Sequence, residues 1–273
     1  MRVGFVGLGS QGAPMARRII DAGHPLTIWA RRPESVEPFA DTEATVARSP
    51  AELAENSDIV CLCVVNDADV ASVITRDDGV LTGLAAGGVI AIHATVHPDT
   101  CHRMAAHATT HGVDVVDAPV SGGGIAAAEG KLLVMVGGDD AVVERVRPVF
   151  VTYADPVLHL GPLGSGQMAK LLNNFVFTAQ LTVAAETYDF AARLGIDRAA
   201  MAEVLANGSG GSRAADIVAG SAFDLSGLRQ VAATLLAKDV GIMLDVAQHA
   251  GASEPPHVSE LAAATLALLT DDE

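Results

Sequence analysis

The chain has 273 residues, half of them hydrophobic and 18% charged, which suits a globular protein and excludes global disorder. Its formal net charge of −16 at pH 7 disfavours nucleic-acid and anionic-membrane partners, because both are held by basic patches. An anionic ligand must then be bound by local groups, and the length allows one large core or two smaller ones.

The chain opens on a strand-like run, residues 2–6, without a charged leader and longer apolar segment, so no signal peptide is expected. No apolar run approaches the roughly 18 residues that span a bilayer, and the expected location is the cytoplasm. Short Val/Ile-rich runs alternate with helix-like segments up to residue 160, the pattern of a mostly parallel sheet covered by helices. Strands are predicted at 2–6, 26–29, 59–65, 89–92, 113–117, 132–136 and 157–160, and helices at 12–22, 50–55, 68–74, 98–111 and 140–149. Cys61 and Cys63 alternate on one strand and Cys101 stands alone; without CxxC spacing all three read as reduced core thiols, which fits a reducing compartment.

Residues 161–166, with Pro162, break the pattern, and the strand signal then disappears. One long helix is predicted over about 167–194, stopped by Gly195. Asp197 can cap a short helix to about residue 206, a Gly/Ser loop follows at 207–212, and a further helix runs over 230–250. Pro255-Pro256 precedes a last helix, and the terminal residues 270–273 are expected to fray. The expected architecture is a Rossmann-type α/β domain over 1–161 and an all-α domain over 162–273, joined by the long helix.

Gly7-Leu8-Gly9-Ser10-Gln11-Gly12 lies between the first strand and the first helix. Alone, GxGxxG is weak evidence; in this context its glycines allow a tight turn, close approach of a pyrophosphate and close helix–strand packing, while the helix N-terminus adds N–H donors. An NAD-binding chain usually ends its second strand with an acidic residue on the ribose hydroxyls. Here Arg31 and Arg32 follow Trp29-Ala30, and the nearest acid is Glu34. Two guanidiniums suit a 2′-phosphate, so NADP is favoured with NAD possible; exposed surface arginines are the alternative.

Lys170 and Asn174 share one face of the long helix, a turn apart. Two asparagines in a row cost helix stability, because the amide competes for backbone groups. A cation beside an amide can serve an oxygen of a small substrate; a solvated polar stripe is the other reading.

Together, the N-terminal glycine motif, Asp117-Ala118-Pro119-Val120-Ser121-Gly122-Gly123, the run from Gly161 to Lys170 followed by Asn173-Asn174, and Lys238-Asp239 resemble the β-hydroxyacid dehydrogenases. That group includes 3-hydroxyisobutyrate dehydrogenases, tartronate semialdehyde reductases and glyoxylate/succinic semialdehyde reductases, and the resemblance covers essentially the whole chain. It implies hydride transfer between a nicotinamide and a small carboxylate-bearing β-hydroxy acid or semialdehyde. Lys170 would be the general acid/base and Asn174 would orient the reacting oxygen. Ser121, Gly122, Gly123 and Asn173 would bind substrate, with Val64, Thr95 and Lys238 along the cofactor. The resemblance also implies a homodimer or homotetramer built through the helical domain. Imine reductases share the architecture but generally lack the lysine, and a non-catalytic cofactor-binding scaffold or redox sensor is the other rival.

The chain departs from the family pattern at Gln11, where methionine is common, at Ile92-His93-Ala94-Thr95, where the family tends to Asp-x-Ser-Thr, at His97 and at Ala126. His93 and His97 flank Thr95 and are candidates to reach the pocket. His107 and His111 have i,i+4 spacing but no HExxH acid, and read as surface histidines with no metal expected. Asp239 and Asp245 are candidates for the site or for ion pairs, and Trp29 reads as strand core.

Overall fold

The structure is a computed structural model that describes residues 1–270, so the expected fraying of Asp271, Asp272 and Glu273 lies outside the described residues. The chain divides into two compact units, Met1–Lys170 and Leu171–Glu273, and the division falls inside one helix.

The first unit is built on a six-stranded, all-parallel sheet. Its strands are β1 (Val3–Val6), β2 (Leu26–Trp29), β3 (Thr45–Val46), β4 (Ile59–Leu62), β5 (Val89–Ile92) and β6 (Asp114–Asp117), in the order β3-β2-β1-β4-β5-β6. Alternate residues of one strand point to opposite faces, and with helices on both sides both faces are apolar. Phe5, Cys61, Ala91 and Val116 enter one core, whereas Val6, Val60, Leu62, Ile90, Ile92 and Val115 enter the other. The order reverses between β1 and β4, and a crevice for a ligand is expected outside the carboxyl ends of strands at such a switch point.

The helices of this unit are α1 (Gly12–Asp21), α2 (Pro50–Glu55), α3 (Asp67–Thr75), α4 (Val80–Gly83), α5 (Pro98–Thr109), α6 (Gly123–Glu129) and α7 (Asp140–Phe150). Ser49, Asn66 and Asp139 cap α2, α3 and α7 by accepting N–H bonds from the first turn. A second, three-stranded sheet orders β7 (Val120–Ser121), β8 (Leu132–Val136) and β9 (Ala154–His159), with β7 antiparallel to β8. Its residues Val120, Leu132, Val134 and Val136 join the same core as Phe5. The sequence reading placed β8 and β9 without separating them from the main sheet.

The long helix α8 (Ser165–Arg193) is followed by α9 (Arg198–Asn207), α10 (Arg213–Gly220), α11 (Ser226–His249) and α12 (Pro256–Thr270). The second unit has no strand among its described residues. Its core gathers Leu181, Ala184, Tyr188, Val218, Leu236 and Leu269. Buried polar contacts within the unit include the Tyr188 hydroxyl donating to the Ala215 carbonyl at 3.2 Å and the Thr265 hydroxyl donating to the Thr178 carbonyl at 2.6 Å. No helix among the described residues is long and apolar enough to cross a membrane.

Candidate cofactor and substrate site

The glycine loop sits at the switch point. Gly7 has φ +99°, and a Cβ there would lie 2.2 Å from the Cys63 carbonyl oxygen just past β4. No L-side chain fits, so the turn brings the loop after β1 against the segment carrying Val64. Gly12 packs as tightly, its would-be Cβ 1.9 Å from the Gly7 carbonyl oxygen, while a Cβ on Gly9 would meet nothing within 4 Å. Two glycines therefore close the turn and the third faces open space where a diphosphate can approach. The first turn of α1 holds no acidic residue, and Gln11 makes no side-chain cap, which leaves the N-terminal N–H groups and dipole for an anion. The residues fit a dinucleotide.

Past β2, the Arg31 and Arg32 side chains are 81% and 74% exposed. Arg31 lies 3.4 Å from Asp69 and Arg32 lies 3.9 Å from Glu34, contacts that count for little at the surface and leave the guanidiniums able to turn to a phosphate. Trp29 is only partly buried, with the Arg76 guanidinium over its ring.

Residues 93–97 link β5 to α5 and present Thr95, which is half-buried. Asp67, in the first turn of α3, accepts from the His97 N–H at 2.9 Å and from the Thr100 hydroxyl at 2.6 Å. On the other side, the Gln167 side chain of α8 accepts from the Val96 N–H at 3.1 Å and donates to the Ala94 carbonyl at 2.8 Å. Thr95 thus projects from a backbone held on both flanks. Gln167 is in turn fixed by Asp117 at the end of β6: one carboxylate oxygen accepts from the Gly164 N–H at 2.6 Å and the other from the Gln167 N–H at 2.7 Å. Asp117 and Gln167 are both wholly buried.

Ser121 ends β7, and Gly122 and Gly123, both exposed and both with positive φ, turn the chain into α6. A Cβ on Gly124 would lie 2.5 Å from the Ser10 carbonyl oxygen, so this turn rests directly on the glycine loop. The first unit ends at Lys170, which is 9% exposed and lies one turn after Gln167 on α8.

In the second unit, Asn173 donates to the Asn174 side-chain oxygen at 3.0 Å, and the Asn174 amide donates to Asp239 at 2.6 Å. Lys238 lies 2.8 Å from the other oxygen of the Asp239 carboxylate, which is 4% exposed. These four residues form one polar chain, and a second amide hydrogen of Asn174 remains to be offered to a ligand oxygen.

The other candidates make contacts of their own. His93 does not face the loop: it is 3% exposed, with its Nδ1 2.7 Å from the Ala118 carbonyl and its Nε2 3.2 Å from the Tyr153 hydroxyl. His97 caps α5 by accepting from the Asp99 N–H. His107 and His111 are exposed, as is Asp245, which lies 3.4 Å from His249. Cys61 and Cys101 are buried free thiols and Cys63 is half-buried. Asp67, Asp117 and Gln167 were not selected as site residues from the sequence. Their partners lie 30 to 73 residues away, and no spacing rule links them.

Residues 2–161 match the model of the NAD-binding domain of 6-phosphogluconate dehydrogenase, and residues 164–272 match that of the NAD-binding domain of NADP-dependent 3-hydroxyisobutyrate dehydrogenase. An NAD-dependent L-serine dehydrogenase of Pseudomonas aeruginosa is 32% identical over 263 residues, covering 93% of this chain and 88% of that protein. The structure of Mycobacterium tuberculosis 3-hydroxyisobutyrate dehydrogenase with L-serine superposes with a TM-score of 0.86 at 28% identity, covering 99% and 95% of the two chains. An imine reductase from Pseudomonas sp., with a TM-score of 0.68 at 19% identity over 98% and 97% of the chains, shares the fold alone. The chain belongs to the β-hydroxyacid dehydrogenases, NAD(P)-dependent oxidoreductases that act on CH–OH groups.

Proposed function

We propose that the chain interconverts a small β-hydroxy acid and its semialdehyde or keto form, preferring NADP(H), with Lys170 as the general acid/base. The observation that carries this reading is the burial of Lys170, at 9% exposure, on a helix whose neighbouring Asn173 is exposed. A lysine in a solvated stripe keeps its ammonium in water; a buried one is kept for a task or a partner.

In the direction of oxidation, Lys170 accepts the proton of the substrate hydroxyl; in reduction it returns that proton to the carbonyl oxygen. A bound nicotinamide supplies the hydride acceptor or donor. The Asn174 amide donates to the same oxygen, and its bond to Asp239 fixes the rotamer that does so. Ser121 and the N–H groups of Gly122 and Gly123 hold the substrate carboxylate, so anion binding does not depend on the net charge of −16. Gly7, Leu8, Gly9, Ser10, Gln11 and Gly12 cradle the pyrophosphate, Arg31 and Arg32 take the 2′-phosphate, and Val64, Thr95 and Lys238 line the cofactor. Asn173 supports the substrate side through its bond to Asn174.

A homodimer or homotetramer is part of the same proposal. Leu172, Val176, Val183 and Phe190 are 45–56% exposed and fall within about 40° of one another around α8 at 100° per residue, an apolar stripe suited to a second copy.

The test is Lys170→Ala assayed on L-serine, 3-hydroxyisobutyrate and succinic semialdehyde with both cofactors. Turnover should fall by about 10²–10⁴-fold, the usual contribution of a positioned acid/base, with NADPH affinity almost unchanged. Equal loss of cofactor binding assigns the lysine to the cofactor instead. Reduction of cyclic imines in preference to all three substrates would favour the imine reductase reading.

A further inference from the structure

We infer that Asp117 and Gln167 form a latch that makes the helix bearing Lys170 and the loop bearing Thr95 move as one body, so that both are positioning residues for the reaction. The inference rests on the assignment of Lys170 and Thr95 to the site and adds two residues that touch neither substrate nor cofactor.

Asp117 works as a helix cap supplied from another element. The N-terminal N–H groups of a helix lack intrahelical partners, and normally a residue just before the helix accepts from them. Before α8 that place is taken by Pro162-Leu163-Gly164, which has no side-chain acceptor. The Asp117 carboxylate, arriving from the end of β6, accepts from the Gly164 and Gln167 N–H groups instead. The fit is close: a Cβ on Gly137 or Gly166 would lie 2.4 or 2.8 Å from a carboxylate oxygen. Burial raises the Asp117 carboxyl pKa, and the converging N–H groups oppose that shift.

Gln167 carries the constraint onward. Its backbone N–H is held by Asp117, while its side chain makes paired bonds to Ala94 and Val96, the residues on either side of Thr95. An amide is the side chain that can donate and accept together there; a carboxylate would face the Ala94 carbonyl with a like partial charge. With Asp67 holding His97 from the opposite flank, the 94–97 segment has no slack unless Gln167 moves. Lys170 is one turn further along the same helix, so displacement of Gln167 displaces both reacting-centre groups together. A geometric error of about 1 Å at such a centre costs on the order of 10²-fold in rate.

Hydrogen exchange with NADPH added tests the latch through two near-isosteric variants. Gln167→Met removes both side-chain bonds, and Asp117→Asn replaces one acceptor by a donor aimed at an N–H. Gln167→Met should speed exchange of the Val96 amide by at least tenfold. Asp117→Asn, which makes no bond to Val96, should do so as well, because its effect passes through Gln167. In the turnover assays both variants should lower kcat on the order of 10²-fold with the Michaelis constant for NADPH within threefold. Exchange confined to residues 164–167 in Asp117→Asn, or a wild-type kcat in Gln167→Met, overturns the inference. Lys170→Ala in the same assays separates the two claims: an active Lys170→Ala enzyme removes the functional assignment, whereas an inactive one beside an active Gln167→Met removes only the latch.

Discussion

Acidification should weaken the first unit through His93. The imidazole is sandwiched among Phe5, Phe150 and Tyr153, with ring centroids 5.5–6.5 Å away. The Ala118 carbonyl can only accept, so Nδ1 carries the hydrogen and Nε2 accepts from the Tyr153 hydroxyl. Tyr153, which bonds the imidazole, lies beside Cys61 and Cys63; a phenol and thiols are neutral at acid pH in any case, and burial raises all three pKa values further. Burial also lowers the His93 pKa from 6.5 to about 4. Between those values the unfolded chain binds a proton that the folded chain refuses. This contribution is therefore intact above pH 6.5 and is lost progressively toward pH 4. At about 1.4 kcal/mol per pKa unit, the 2.5-unit gap amounts to about 3 kcal/mol. Urea unfolding of wild type and His93→Gln from pH 7.5 to 4 isolates the effect, since every other titrating group is common to both. The stability difference should shift by about 3 kcal/mol in the variant's favour as pH falls. Parallel curves would show that His93 titrates normally and that the neutral network is misread.

Arg31→Asp should reduce the preference for NADP over NAD by about 10–100-fold, the value of one charge-assisted bond to phosphate plus the repulsion that replaces it; an unchanged ratio of kcat/KM for the two cofactors refutes the 2′-phosphate assignment. Gly124→Ala should raise the Kd for NADPH by about tenfold although residue 124 lies outside the glycine loop, because the new Cβ would press on the Ser10 carbonyl oxygen from 2.5 Å. Isothermal titration would read the change, and a wild-type Kd would mean that the turn yields without moving the loop.

The parts of the fold legible in the sequence were those with a strong local signal. Continuous Val/Ile runs marked β1, β2, β4, β5 and β8, and Asp197 capped α9 as expected, accepting from the Ala199 and Ala200 N–H groups. The missed elements lacked such signals. β3 is two exposed residues that pair only at a sheet edge, and α6 begins Gly123-Gly124, the poorest of helix starts. α10 follows a Gly/Ser run read as loop, although Ser212 caps it by accepting from the Ala215 N–H. The glycine motif was legible because its three glycines fall within six residues between a strand and a helix, although the carbonyl that excludes a side chain at Gly7 comes from Cys63. His93 was not: its position beside Thr95 suggested the pocket, but strand alternation at the end of β5 turns its ring into the core.

The buried polar residues carry information that motif reading lacks. Threonines and serines can bury a hydroxyl by bonding back to a nearby carbonyl, as Ser57 and Thr152 do. A buried amide or ionisable side chain has no such local remedy and costs stability unless the fold supplies partners. Setting aside the thiols and Tyr153, the buried ones of that kind among the described residues of the first unit are His93, Asp117, Gln167 and Lys170. All four lie at the carboxyl ends of β5 and β6 or in the first turns of α8, and none supports the sheet elsewhere. Val/Ile packing alone would build the same sheet at lower cost. Their concentration at the edge where the glycine loop also opens is a cost that the stability of the sheet does not explain.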